Sequence, residues 1–329
     1  MHHATAWAHP NVALIKYWGK RDAKLNLPAT GSISLTLNNL ITRSYVRFND
    51  FEQDQVNLNG QLADATTTAK VIRVLDVLRQ MAGVNLRAIV ESRNDFPTGA
   101  GLASSASGFA ALVAAAAHAL KINIKLETLS GIARLGSGSA ARSIFGGFVE
   151  MHKGELNDGS DAIAKPLCDA EKWPIAVIVA ITSNEAKKVQ STSGMEHTRN
   201  TSPFWDSWVV STEQNIKQMR EAVLAQDFNQ VGELAEHSCL KMHALAMSAQ
   251  PGLLYWNSTT LALISTICKL RQKGLAVYFT IDAGPQVKVL CQEDSKAIIK
   301  KVLKEVPGVI KLIDSGPGGA VTAKGGCCD

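Results

Sequence analysis

One stretch constrains this chain more than any other: Asn94 to Leu120, NDFPTGAGLASSASGFAALVAAAAHAL, a Gly- and Ser-rich turn running without a break into a long Ala-rich apolar segment. The apolar run from Gly108 to Leu120 falls short of the ~20 residues that cross a bilayer, so it reads as a buried helix. Just upstream, Leu86 to Ser92 reads as a strand. A strand, a hydroxyl-bearing loop and a helix start in succession favour an anion, because the first N–H groups of the helix point outward and Gly99 and Gly101 let backbone approach closely. An ordinary strand-to-helix connection has the same outline, so the loop alone leaves function open.

A chain of 329 residues can bury two domains or one large one, and 46% hydrophobic with 19% charged residues is the balance of a soluble globular protein. The net charge of +5 is spread along the sequence, which suits small anionic ligands. With no basic stripe interleaved with aromatics, nucleic acid is not an expected partner, and no membrane is expected either. The start MHHATAWAHPNVA has neither a basic region nor a long apolar run, and a cytoplasmic location is the expectation. Of the six cysteines, Cys168, Cys239, Cys268 and Cys291 read as small buried hydrophobes and Cys327-Cys328 as an exposed tail; neither they nor the histidines have a zinc spacing.

Taken in order, Val12 to Ile15 is a compact apolar strand, followed by a knot of basic and aromatic residues, Lys16, Tyr17, Trp18, Gly19, Lys20 and Arg21. Gly31 to Leu40 and Thr42 to Phe48 alternate like half-buried antiparallel strands. Thr66 to Met81 is a helix stopped by Gly83, and Leu126 to Leu135 is a helix leading into Gly136-Ser137-Gly138-Ser139-Ala140-Ala141-Arg142-Ser143. That stretch fits GxGxxA, but the dinucleotide fingerprint needs a strand before it, so NAD is discounted. Phe148 to Met151 and Trp173 to Thr182 are strands; beyond them the texture changes to long amphipathic helices, placing a domain boundary near 182, with domains 1–182 and 183–329. Ser211 and Gln214 form a capping box ahead of an apolar stripe, and further helices cover Val231 to Leu245 and Leu261 to Leu270. Leu275 to Asp282 alternates as a strand that delivers Asp282 to its end, where a carboxylate is either a turn-former or a catalytic group. A helix from Ser295 to Val306 and a strand from Val309 to Ile313 follow.

Pro97 to Ala106, PTGAGLASSA, resembles the nucleotide loop of the GHMP kinase superfamily. Asn11 to Asp22, NVALIKYWGKRD, with Leu25-Asn26-Leu27-Pro28, Ser137 to Gly147 and Asp282-Ala283-Gly284-Pro285 in the same order, resembles the mevalonate diphosphate decarboxylase family within it. The resemblance covers nearly the whole chain. It implies the α/β GHMP kinase fold, with an N-terminal domain of the ribosomal-protein-S5 domain 2-like type, a C-terminal α/β domain carrying Asp282, a site in the cleft between them, and a homodimer for which Trp205 and Trp208 offer surface.

The activity implied is ATP-dependent decarboxylation of mevalonate 5-diphosphate to isopentenyl diphosphate, with Mg2+. In the implied site Asp282 meets the C3 hydroxyl with Lys16 beside it, and Arg142 and Asn11 hold the carboxylate. Tyr17, Lys20, Ser137, Ser139, Ser191 and Thr192 bind the diphosphate. Gly99, Ala100, Gly101, Leu102, Ala103, Ser104, Ser105, Ala106 and Ser107 cradle ATP, with Ser105 a ligand for Mg2+. Lys187 to Met195 also resembles the family, although some bacterial members carry Arg where this chain has Thr192, which loosens the grip on a diphosphate. The alternatives are a decarboxylase of mevalonate 5-phosphate, a GHMP kinase that stops at the phosphorylated product, and a catalytically silent binding module.

Overall fold

The computed structural model describes residues 2–96, 104–185 and 189–325. The nucleotide-loop residues Gly99, Ala100, Gly101, Leu102 and Ala103, as well as Lys187, Lys188 and the Cys327-Cys328 pair, lie outside them. In the first half the strands are β1 (His2–Ala8), β2 (Asn11–Ile15), β3 (Lys20–Asp22), β4 (Leu27–Pro28), β5 (Ser32–Thr36), β6 (Thr42–Asn49), β7 (Gln55–Leu58), β8 (Gln61–Leu62), β9 (Arg87–Asn94), β10 (Phe148–Met151), β11 (Ala164–Cys168) and β12 (Ala176–Ile181). Its helices are α1 (Ala65–Ala82), α2 (Ser104–Ala119) and α3 (Leu126–Gly136). The second half is mostly helical at first, with α4 (Ser191–Thr201), α5 (Trp205–Leu224), α6 (Phe228–Met247) and α7 (Ser258–Gln272). It closes with β13 (Val277–Ile281), β14 (Val287–Cys291), α8 (Lys296–Lys304), β15 (Lys311–Ser315) and β16 (Thr322–Gly325).

Helix α2 is the hub of the first core. Ala110, Ala111, Val113, Ala115 and Ala116 are fully buried, and their small side chains let the helix lie close against the six-stranded sheet ordered β16-β1-β6-β9-β7-β8. Helix α1 begins where the Asp64 carboxylate accepts the Thr67 N–H, and it ends at Gly83, whose φ of 66° is the left-handed geometry that glycine supplies at least cost. A second sheet, β11-β10-β5-β2, packs through an apolar core onto α5, α6 and one face of a third sheet, β13-β14-β12-β15. The other face of the third sheet is covered by α7 and α8. Strand β12 thus shares its sheet with β13 to β15, while β16 returns from the C-terminal end to pair with β1.

Three expectations change. Strand β5 is buried throughout rather than half-buried, because it lies between β2 and β10 with helices above it. Ser211 does not start a helix: α5 already runs from Trp205, and the Ser211 hydroxyl donates back to the Ser207 carbonyl at 2.6 Å. Nor do Trp205 and Trp208 present an open face. Trp208 is buried and its Nε1 donates to the Trp18 carbonyl at 3.1 Å, while a Cβ on Gly19 would lie 2.0 Å from the Trp205 ring.

Candidate active site

Two buried strands end at the same place. The Thr280 hydroxyl donates to the Ala13 carbonyl at 3.2 Å, which ties β13 to β2 and brings the residues just beyond their ends together. Lys16 therefore meets Asp282, with Nζ donating to Oδ1 at 2.7 Å. Its own backbone N–H is fixed by the Ser238 hydroxyl of α6 at 3.0 Å. A second lysine, Lys288 on β14, donates to Asp282 Oδ2 at 3.0 Å. Burial alone would raise the carboxyl of Asp282, but the two ammonium groups and their hydrogen bonds outweigh it and hold the group well below the usual carboxylate range. Lys288 is itself lowered, by burial first and by Lys16, against the pull of Asp282.

Arg142 faces this pair. The short 3-10 helix Gly138–Ile144 buries it almost completely, its side chain donating to the Ser32 hydroxyl at 2.5 Å and to Asn11 Oδ1 at 3.2 Å. The Asn11 amide in turn donates to the Ser139 carbonyl at 3.0 Å and the Ser143 hydroxyl at 2.8 Å, so Asn11 orients Arg142. Burial pushes the guanidinium down to about 10, opposed by Tyr17 and Asp282, which leaves it charged at neutral pH. Its Nε and the Tyr17 hydroxyl are buried without a protein partner among the described residues. A Cβ on Gly138 would sit 2.2 Å from that hydroxyl, so glycine is what lets the 3-10 helix approach Tyr17.

Asn11, Lys16, Tyr17, Arg142 and Asp282 line one cleft of about 680 Å3 that also receives Lys20, Ser105, Ser137, Ser139, Ser191 and Thr192. Ser105 and Ser139 each lie 3.3 Å from the Ser137 hydroxyl, making a row of hydroxyls. Lys20 is pushed down to about 8 by burial and then by Lys70 and Arg73, with Glu196 opposing. Burial likewise pushes Tyr17 up to about 12, so it stays a hydrogen-bond donor. Ser104 stands at the first turn of α2, whereas Ala106 and Ser107 are buried away from the cleft. Ser107 shares a 2.6 Å hydrogen bond with Thr42 and pins the helix start to β6.

Sequence reasoning missed Lys288, Lys70 and Arg73. A lysine inside the apolar run Val287-Lys288-Val289-Leu290 was the available signal for the first. For the others it was the two cations at helical spacing on α1.

Under the site, His243 is buried against Trp256, with ring centroids 4.7 Å apart, and its Nε2 meets the Ile281 carbonyl at 3.3 Å. Burial, then Lys16, pushes it from 6.5 down to about 3, although the Ile281 hydrogen bond and Asp282 act the other way. The unfolded chain binds a proton that the folded chain refuses. The fold is therefore most stable above the unfolded value and loses stability as pH falls from there towards the folded one, by up to about 1.4 kcal/mol per pH unit. Thermal melting should fall between about pH 7.5 and pH 5, and His243→Gln should flatten that fall; an unchanged slope would contradict the assignment.

Comparison with known proteins gives a consistent result. Residues 8–164 match the diphosphomevalonate decarboxylase-like N-terminal domain, and residues 177–315 the mevalonate 5-diphosphate decarboxylase C-terminal domain. A diphosphomevalonate decarboxylase of Candida albicans is 35% identical over 94% of this chain and 90% of its own length. The crystal structure of mevalonate diphosphate decarboxylase from Staphylococcus aureus is 38% identical with a TM-score of 0.92, covering 98% of each chain. A solved complex of MDDEF with MVAPP, AMPPCP and magnesium is 38% identical with a TM-score of 0.91, covering 98% of this chain and 99% of that one. The mixed α/β architecture is that of these GHMP-kinase-like enzymes, and the chain belongs to the mevalonate diphosphate decarboxylase family.

Proposed function

We propose that the cleft carries out the ATP-dependent decarboxylation of mevalonate 5-diphosphate to isopentenyl diphosphate, releasing CO2, ADP and phosphate. The observation that carries this reading is that the Arg142 guanidinium, held by Ser32 and Asn11, lies in the same cleft as the Lys16–Asp282 pair. One group suits a carboxylate and the other a hydroxyl. The substrate offers both on neighbouring carbons.

When bound, ATP supplies the phosphoryl group that makes the C3 oxygen able to leave, and Mg2+ offsets the charge of its phosphates. The residues present fit both. The Ser104 end of α2 offers helix N–H groups, and the hydroxyls of Ser105 and Ser137 are hard oxygen donors of the kind Mg2+ takes alongside phosphate oxygens.

Asp282 orients the C3 hydroxyl and receives its proton. A carboxylate held below the usual range is a weak base toward an alcohol, so the proton moves only as the oxygen loses electron density to the forming phosphorus bond. Lys16 keeps the carboxylate in place. Arg142 and Asn11 orient the substrate carboxylate; too tight a grip would favour the ground state over loss of CO2. Tyr17, Lys20, Ser137 and Ser139, with Ser191 and Thr192 at the start of α4, hold the diphosphate.

The ATP-binding half and the half carrying Asp282 divide near residue 182, with β12 just before that boundary pairing into the sheet of the second half and β16 returning to the first, in a cytoplasmic homodimer. No helix among the described residues is long and apolar enough to cross a membrane. Thr192 brings a hydroxyl rather than a cation to the cleft, which makes mevalonate 5-phosphate the comparison substrate. With ATP and Mg2+, kcat/KM should favour the diphosphate by about 100-fold or more, since each tenfold needs only ~1.4 kcal/mol from the extra phosphate's contacts. An equal or reversed preference would overturn the diphosphate reading.

A further inference from the structure

We propose that Lys288 is a positioning residue for the reaction, fixing Oδ2 of Asp282 so that the carboxylate meets the substrate hydroxyl in one orientation. The inference rests on the proposed role of Asp282. Strand β14 lies inside its sheet, and Lys288 stands across from Thr280 on one side and Val179 on the other. Such a position ordinarily takes Val or Ile, as Val287 and Val289 do on the same strand. Lys288 instead points to the face that carries Leu290 and Val179, inside an apolar core, and is 3% exposed. An ammonium there requires a partner, and Asp282 supplies one.

A structural ion pair would need one lysine. Asp282 has two, one on each carboxylate oxygen, which leaves the carboxylate with no freedom to rotate. Lys16 lies on the cleft wall; Lys288 does not, so it acts through Asp282 rather than by touching substrate. Each carboxylate oxygen still has a lone pair for the hydroxyl. Among the described residues, the other charged or titratable groups around Asp282 are Arg142 from the 3-10 helix and Cys239 and His243 from α6. Arg142 stays charged, Cys239 is pushed up to about 11 and His243 down to about 3, so between pH 5 and 9 none of the three changes its charge greatly.

The test uses the full chain with ATP, Mg2+ and mevalonate 5-diphosphate, reading CO2 release across pH for wild type, K288M and K288Q. Methionine keeps the length and removes the charge; glutamine keeps a donor. K288M should lower kcat by about tenfold to 100-fold with both KM values nearly unchanged. Its acid limb should move up by about one pH unit or more, because one of two cations holding Asp282 ionised is gone. K288Q should recover part of the rate and keep the shifted limb. Unchanged kcat and limb in K288M would overturn the proposal, as would a rate loss that tracks a lower melting temperature with the limb unmoved. Should K288M fail to fold, an unshifted limb in K288Q overturns it equally. A wild type that releases no CO2 removes the function and this proposal together, whereas an active wild type with an indifferent K288M removes the proposal alone.

Discussion

Asp282→Asn is expected to lower kcat by about three orders of magnitude or more while ATP still binds, because the group that receives the hydroxyl proton is replaced by one that cannot. The amide oxygen of asparagine can accept from Lys16 or from Lys288, but it carries no charge to answer either. Two ammonium groups, 1% and 3% exposed, then lose the carboxylate charge to which both donate. Removing one partner from a fully buried pair costs ~3–5 kcal/mol; Asp282 is 25% exposed, so a smaller fall in melting temperature should accompany the loss of turnover. Nucleotide binding separates the two effects. A folded variant that binds ATP and is inactive supports the assignment, and activity within about tenfold of wild type, only ~1.4 kcal/mol in barrier, contradicts it.

Arg142→Lys should be nearly as damaging despite keeping the charge. The guanidinium reaches Ser32 and Asn11 with its two terminal nitrogens. A lysine ammonium is a point charge on a flexible stem and cannot span those partners while presenting a fork to a carboxylate. The expected loss in kcat/KM is about 100- to 1000-fold, the scale of a misplaced reacting group. ADP and CO2 should remain in equal amounts, since the variant orients substrate poorly but leaves Asp282 intact. Release of ADP with little CO2 would assign Arg142 to the decarboxylation step alone, and near-normal kcat/KM would remove it from the site.

The site was more legible in the sequence than the sheets that carry it. Asp282 follows an alternating apolar strand and Lys16 another apolar run; position alone leaves Asp282 a turn-former or a catalytic group, and the family resemblance is what marks both residues for one site. Tyr17, Lys20, Ser137, Ser139, Arg142, Ser191 and Thr192 all arrive at that cleft. Ser107 does not, because a helix turns each successive residue by about 100°, and the third hydroxyl of SSAS therefore faces β6 instead. Strands β1 and β16 left little trace. The pattern of β1, His-His-Ala-Thr-Ala-Trp-Ala, has low β propensity, and the pairing of β1 with β6 and β16 decides its conformation. Strand β11 carries Pro166 at a sheet edge, where no ladder hydrogen bond is lost, and proline read from sequence argues against a strand. The start of α5 was misplaced for a related reason: the local signal at Ser211 is outweighed by the burial of Trp208 against Trp18. Lys288 stayed hidden because its partner is fixed by the β13–β14 register, which no local pattern states.

The central claim is that one cleft couples phosphoryl transfer to loss of CO2. Its most direct measurement is the stoichiometry of a single incubation with ATP, Mg2+ and mevalonate 5-diphosphate, following ADP, phosphate, CO2 and isopentenyl diphosphate together. The account predicts that all four appear in equal amounts and that none appears above background in Asp282→Asn. ADP formed without CO2 and the five-carbon product would instead describe a kinase and contradict the claim.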